Sequence, residues 1–277
     1  MKKQLILLAF FLVISSAFAQ KKEKIKGSKI VSIEQVEVGD FDNLEIYDNL
    51  EIFLAKGNKC AIEVEADDNL HDAIEVDLKS NTLRLRTTKD ISGAKKTSIR
   101  VTYTDSFKMV VLRDNSTVTA LSEVKLSETT FKCYDDTKLF LNADVPNFTL
   151  ITNDKSKVEL NLKSKDAVLE INKNSSLKAL IASNKIKCDM YQKSSAIIEG
   201  DVEDLKLRLD NNANFTGKKL FAKNASLILE GSSKSSVNAA TRLILESSGK
   251  SELNFYGEGK LEVKRFSDES SLNKKIK

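Results

Sequence analysis

Leu169-Glu170-Ile171-Asn172-Lys173-Asn174-Ser175-Ser176-Leu177 holds the pattern that decides the fold. Two apolar residues flank a polar one, a polar turn follows, and then come a small residue, one variable residue and another apolar residue. Alternation at period two marks a strand with one buried face, and Asn is a turn former. The same phrase returns from about residue 107 onward. Its small residues are Ser116, Thr137, Ser156, Ser175, Ser195, Ala213, Ser235, Ser251 and Ser270. Two positions after each stand Val118, Leu139, Val158, Leu177, Ile197, Phe215, Val237, Leu253 and Leu272. The spacings of 21, 19, 19, 20, 18, 22, 16 and 19 residues centre near nineteen, with the small insertions that corner loops tolerate.

Further alternating pairs precede the turns: Val110 and Leu112, Phe131 and Cys133, Leu207 and Leu209. An amphipathic helix needs apolar residues at spacings of three and four, and that reading fails here. The L-x-x-L-x-L-x-x-N signature of leucine-rich repeats does not recur either. One such unit cannot stand alone. Its five or so inward side chains contribute at most about 3 kcal/mol each, against about 1 to 2 kcal/mol of backbone entropy for every residue ordered. Coils stacked at about 4.8 Å supply the missing hydrogen bonds and core contacts, and nine of them make a rod about 40 Å long. Asn115, Asp136, Asn174, Asn211 and Asn212 then line up as turn residues. The expected fold class is all-β, a solenoid of coils of about nineteen residues.

Residues 30 to 106 are strand-rich but irregular, with Leu44 and Ile46, Ile52 and Leu54, Ile62 and Val64, Leu83 and Leu85, and Ile99 and Val101 in alternation. Lys79-Ser80-Asn81-Thr82 reads as a hairpin turn. This segment is expected to begin the solenoid and cap its end, because an open coil exposes a sheet edge.

At the amino terminus Lys2 and Lys3 precede a short apolar run, Leu5 to Ile14, and Ala17-Phe18-Ala19, the pattern of a cleaved secretory leader. The run is shorter than the about 20 residues that span a bilayer. The expected organisation is therefore a leader over 1–19, a flexible linker and first strand over 20–39, one β-helix over 40–266 and a polar tail over 267–277. Export into the periplasm, to the outer surface or beyond the cell follows. Removing Lys2 and Lys3 leaves 42 basic against 40 acidic side chains, well intermixed, so nothing calls for a nucleic-acid partner. No integral membrane segment is expected. The lysine-rich stretch Lys21 to Lys29 reads as a solvated, disordered linker.

Phe41-Asp42-Asn43-Leu44-Glu45-Ile46, Leu50-Glu51-Ile52-Phe53-Leu54 with Lys56-Gly57-Asn58, Ile62 to Leu70, and Thr82-Leu83-Arg84-Leu85 resemble the opening of the putative auto-transporter adhesin head domain, or GIN domain, family of exported Bacteroidetes-type proteins. The resemblance runs from about residue 40 to 260. It implies a right-handed parallel β-helix, in keeping with the coils above, and it implies no reaction and no catalytic residues.

Candidate chemistry is sparse. His71, the only histidine, reads as a surface residue in a loop or short helical turn. A zinc site from His71 and the scattered Cys60, Cys133 and Cys188 lacks the usual ligand spacing. These cysteines read as packed thiols. Asp114, Asp135, Asp136 and Asp154 fall near one corner of successive coils, where convergence would suit calcium, with Arg113 or Lys155 as a lyase-type base. Asp is also a default turn residue, and that reading is preferred. No catalytic, cofactor or metal residue is assigned. The expected function is a non-catalytic envelope or secreted protein, adhesin-like, binding a glycan, a surface polymer or a cell-surface protein through a solenoid face. The alternatives are a polysaccharide-lyase-like enzyme and a self-assembling structural element.

Overall fold

The computed structural model describes residues 22–276, so the expected leader lies outside the described residues. In the strand Lys157–Ile171, residues 157–163 pair in parallel with 138–144, whereas residues 166–171 pair with 147–152. Both stretches pair with the next coil, through 176–183 and 185–190. Lys165 takes no place in that register, so the strand turns a corner there and each coil serves two ladders. The chain's one proline, Pro146, stands at this corner one coil earlier, where its carbonyl accepts the N–H groups of Lys165 and Asp166. No ladder donor is lost.

The result is a parallel β-solenoid of about nine turns with nineteen-residue spacing. Period-two alternation becomes columns of inward side chains. Leu44, Val110, Phe131, Leu150, Leu169, Cys188, Leu207, Leu227 and Leu245 stack in one such column, and all are buried. Cys133 stands in a neighbouring column beside Thr152. Burial pushes its thiol pKa up to about 12, and burial pushes that of Cys188 up as well, with the Asp189 charge adding to it.

The turn column differs from expectation at two coils. The N–H groups of Ser195 and Glu252 donate to the carbonyls of Ser175 and Ser233, so the buried small residues are Ser116, Thr137, Ser156, Ser175, Ser194, Ala213, Ser233 and Ser251. Ser194 and Ser233 replace the expected Ser195 and Ser235. Ile197 consequently points outward, opposite Lys178 and Thr216, and is 45% exposed, while Ala196 points inward. Two residues before each small residue the backbone is left-handed: Asp114, Asp135, Asp154, Lys173, Gln192 and Asn211 have φ between 52° and 62°. Gly231 and Gly249 continue the column at φ 64° and 73°. Asp and Asn tolerate this region and Gly adopts it freely.

At the amino end each ladder finishes on an antiparallel strand. The ladder through Glu51–Lys56 continues in parallel onto Thr97–Tyr103, then antiparallel onto Ala61–Asp67 and Val31–Val36. The other runs from Asn43–Ile46 onto Thr82–Thr87 and ends on the antiparallel Ile74–Lys79. Lys79 faces Thr82 across a two-residue turn in which Ser80 and Asn81 have φ 49° and 59°, as a hairpin of this kind requires. Phe107 stacks on Tyr103 and meets the edge of Phe41 beneath this cap.

Two stretches depart from their expected character. The basic stretch read as a disordered linker is tied down: Lys24–Lys26 pairs with Asp90–Ser92, and the buried Asp67 accepts the N–H of Lys29. The expected tail contains the strand Ser271–Lys274, which pairs with 252–255.

Candidate functional site

Three of the four acids singled out at the corner are occupied by the fold. Asp114 Oδ2 accepts the N–H of Asp48 at 2.8 Å, and Asp135 Oδ2 accepts the N–H of Asp114 at 3.0 Å. Asp48 does the same for Thr87 at 2.7 Å. Each carboxylate thus caps the turn one coil below, an arrangement that repeats because the coils repeat. Asp154 instead meets the Lys173 ammonium at 2.5 Å, which holds its carboxyl below the usual range. Arg113 lies over the Tyr134 ring at 4.5 Å, and Lys155 and Asp136 are exposed. Among the described residues no three His, Cys, Asp or Glu side chains are placed to hold a metal ion.

His71 is not the surface residue expected. It lies in the 3₁₀ turn Asp68–Ala73 with a side chain only 7% exposed. Its Nε2 is 2.8 Å from Ser32 Oγ and its Nδ1 3.4 Å from Glu34 Oε2. The ring therefore pins the edge strand Val31–Val36 to the cap. Cys133 and Cys188 belong to the core columns and Cys60 packs against the core from outside, so the structure does not gather them with His71.

The ladders themselves build a different site. A groove of about 640 Å³ crosses the outer side of coils 166 to 244. Its base is apolar, from Ala167, Val168, Ile186, Leu205, Ala225 and Ile244. Lys185, Lys187, Lys206 and Arg242 stand around it against the two acids Asp166 and Asp204. Lys187 pairs with Asp189 at 3.1 Å and Arg242 with Glu262 at 2.5 Å, and Asp204 accepts from Asn224 at 3.0 Å. Lys185 and Lys206 carry no ion pair among the described residues, and neither do Asp166 and Asp204, so two unpaired charges of each sign stand around the groove. Register explains the grouping: Asp166, Lys185, Asp204, Asn224 and Arg242 form one outward column, and Val168, Lys187, Lys206, Ser226 and Ile244 form the next. Sequence reading missed these residues, although basic side chains recurring nineteen residues apart were a signal for them.

The residues available suit recognition. An apolar base with mobile ammonium groups can hold an anionic chain against the ladder. Lys185 stands on the rung between Asp166 and Asp204, and the groove holds no histidine.

Comparison with known proteins agrees with the coils. Solved structures of a "putative adhesin" from Parabacteroides merdae and another from Parabacteroides distasonis each superpose with a TM-score of 0.66 at 14% and 15% identity, covering 91% of this chain and 100% of theirs. A "putative lipid binding protein" from Parabacteroides distasonis gives 0.62 at 14% identity, over 92% of this chain and 98% of its own. At such identities the likeness is one of fold. No curated protein matches the chain. The family model described as "Putative auto-transporter adhesin, head GIN domain" matches residues 40–259, and the chain belongs to that family.

Proposed function

We propose that this protein is a non-catalytic, adhesin-like module that holds an acidic surface polysaccharide in the groove across coils 166 to 244. The observation that carries the reading is the pair of unpaired ammonium groups, Lys185 and Lys206, set over an apolar base. Lys206 follows Lys187 on the next rung, about 4.8 Å along the solenoid axis, which suits an extended anionic polymer. Family membership and the adhesin-like neighbours support the same role. Export by residues 1–19 would deliver the protein to the periplasm, the outer surface or the medium, where such polymers occur.

The enzyme alternative is less favoured, because of the corner carboxylates it would use Asp114 and Asp135 already accept backbone donors and Asp154 is paired with Lys173. The test is titration of the purified protein with a polyuronate, a neutral glucan and anionic lipid vesicles. Micromolar binding to the polyuronate alone, lost in Lys185→Glu/Lys206→Glu, is the expected result. Equal binding to the neutral glucan, or none to either polymer, would overturn it. Release of new chain ends from the polyuronate would favour the enzyme reading.

A further inference from the structure

The charges around the groove follow an order that a chain of one sign does not match. Asp166, Lys185 and Asp204 occupy successive rungs of one outward column, so the sign alternates along the solenoid axis. None of the three takes part in an ion pair among the described residues. Their neighbours in the groove behave differently, since Lys187 is paired with Asp189 and Arg242 with Glu262. Asp204 gives Oδ1 to the Asn224 amide at 3.0 Å and keeps Oδ2 free. The Asp166 carboxylate accepts no hydrogen bond from a described residue.

Depth separates the two signs. Both carboxylates are half-buried, whereas Lys185 and Lys206 are exposed. An Asp side chain holds its charge close to the ladder, and a lysine carries its ammonium outward on a flexible four-carbon stem. A polyuronate laid along this column meets Lys185 on one rung and a carboxylate on the rung to either side. Those two contacts are repulsive, and salt screens a partly buried charge less than an exposed one. The groove therefore attracts acidic groups at Lys185 and Lys206 and repels them at Asp166 and Asp204.

We propose, on the reading of this groove as a site for an acidic polysaccharide, that the chain it selects also carries free amino groups. Ammonium groups of the ligand meet Asp166 and Asp204, and its carboxylates meet Lys185 and Lys206. A protonated amine suits the two acids because it offers three donors to carboxylate oxygens that can only accept. Asp166 and Asp204 stand two rungs apart, about 10 Å, so the ammonium groups of the ligand recur at that distance with a carboxylate between them. Val168 and Ile244, outward in the neighbouring column, give the C–H faces of the sugar rings an apolar surface. Discrimination against an acid-only chain comes from the repulsion it meets and from the two carboxylates it leaves unmatched.

The experiment is calorimetric titration of the purified protein at about pH 6, where side-chain carboxyls are ionised. One probe is carboxymethyl chitosan, which carries amines and carboxylates on one chain. The other is the same polymer after N-acetylation, which keeps the carboxylates and loses the amine charge. Both should bind, the aminated polymer about fivefold or more tightly, the scale of two partly exposed ion pairs. Asp166→Asn/Asp204→Asn should abolish that preference while binding the acetylated polymer at least as well as the parent does. Asparagine keeps an acceptor for the Asn224 amide, so the melting temperature should hold. Lys185→Glu/Lys206→Glu should weaken both polymers. Equal affinity for the two polymers, or a preference that survives the double asparagine variant, would overturn the amine assignment and leave the acidic-polysaccharide reading standing. Binding of neither polymer would overturn that reading and the amine assignment together.

Discussion

The Asp67 carboxylate accepts the backbone N–H of Lys29 at 2.8 Å and joins the amino-terminal stretch to the solenoid cap. The same carboxylate takes the N–H groups of Lys95 and Lys96, at 3.0 Å each. A Cβ on Gly27 would collide with it, which is why a glycine stands there. Burial works against the charge, but the three backbone donors outweigh it and hold the carboxyl below its ordinary value. A carboxyl lowered in this way stabilises the fold above its unfolded value of about 3.9, and the benefit is lost as pH falls below that. Asp67→Asn should therefore melt several degrees below the parent at pH 7, with the gap narrowing toward pH 3. A gap that stays constant in calorimetry across that range would show that charge plays no part.

Gly200 is a second position where backbone decides the residue. Its φ is +115°, and an added Cβ would strike the carbonyl oxygen of Ile181 in the coil below. The neighbouring atom is backbone within a ladder, so it cannot swing aside. Gly200→Ala should lose about 2 kcal/mol, the usual scale for a forced backbone conformation, read as a lower urea midpoint. Gly39→Ala, whose Cβ would approach only the flexible Leu78 side chain, should change the midpoint far less.

The buried turn column separates hydroxyls that bond from hydroxyls that do not. Ser175 Oγ donates to the Asn172 carbonyl and lies 2.9 Å from Thr152 Oγ1. Ser194 Oγ has no partner among the described residues, and Ala213 fills the equivalent site one coil later. Ser175→Ala should cost about 1 kcal/mol, the net value of a typical hydrogen bond, while Ser194→Ala should be neutral or slightly stabilising. Equal losses in chemical denaturation would contradict this assignment.

That column also shows how far the sequence could be read. The period and the inward alternation were legible because a nineteen-residue repeat places like residues in like columns. The phase was not legible where serines crowd together. Ser194-Ser195 and Ser233-Lys234-Ser235 each offer two positions that fit the phrase, and only the ladder hydrogen bonds choose between them. Asp67 was invisible for another reason: its donors Lys29, Lys95 and Lys96 lie far away in sequence and bond through backbone, which no residue type announces. The groove lysines are ordinary surface residues until register sets Lys187 beside Lys206 and Lys185 beside Asp204.

The thiols offer an independent check on the columns. Cys133 and Cys188 are fully buried with their thiol pKa values pushed up by that burial, whereas Cys60 is partly open. Only the thiolate reacts. One thiol per chain should therefore label quickly with a thiol reagent in the native protein, and all three only after denaturation. Rapid labelling of two or three would show that the core columns are open.

The groove makes its own claim about salt. If Lys185 and Lys206 hold an acidic polymer, most of the attraction is between partly exposed charges, which ions screen over about 10 Å at 0.1 M ionic strength. Affinity for a polyuronate should then fall steeply between low salt and 0.5 M. Reversing both lysines to glutamate should weaken binding roughly tenfold or more at low salt and flatten that dependence, because charge at the edge of a site acts chiefly through long-range attraction. The apolar base predicts a different response. Val168→Ser should weaken binding by a factor that does not change with salt, since it removes contact area and no charge. A Val168 variant that alters the salt slope, or a lysine pair that leaves it unchanged, would move the binding surface elsewhere on the solenoid, with the outward Phe140, Leu180 and Ile197 of the other ladder the next place to look.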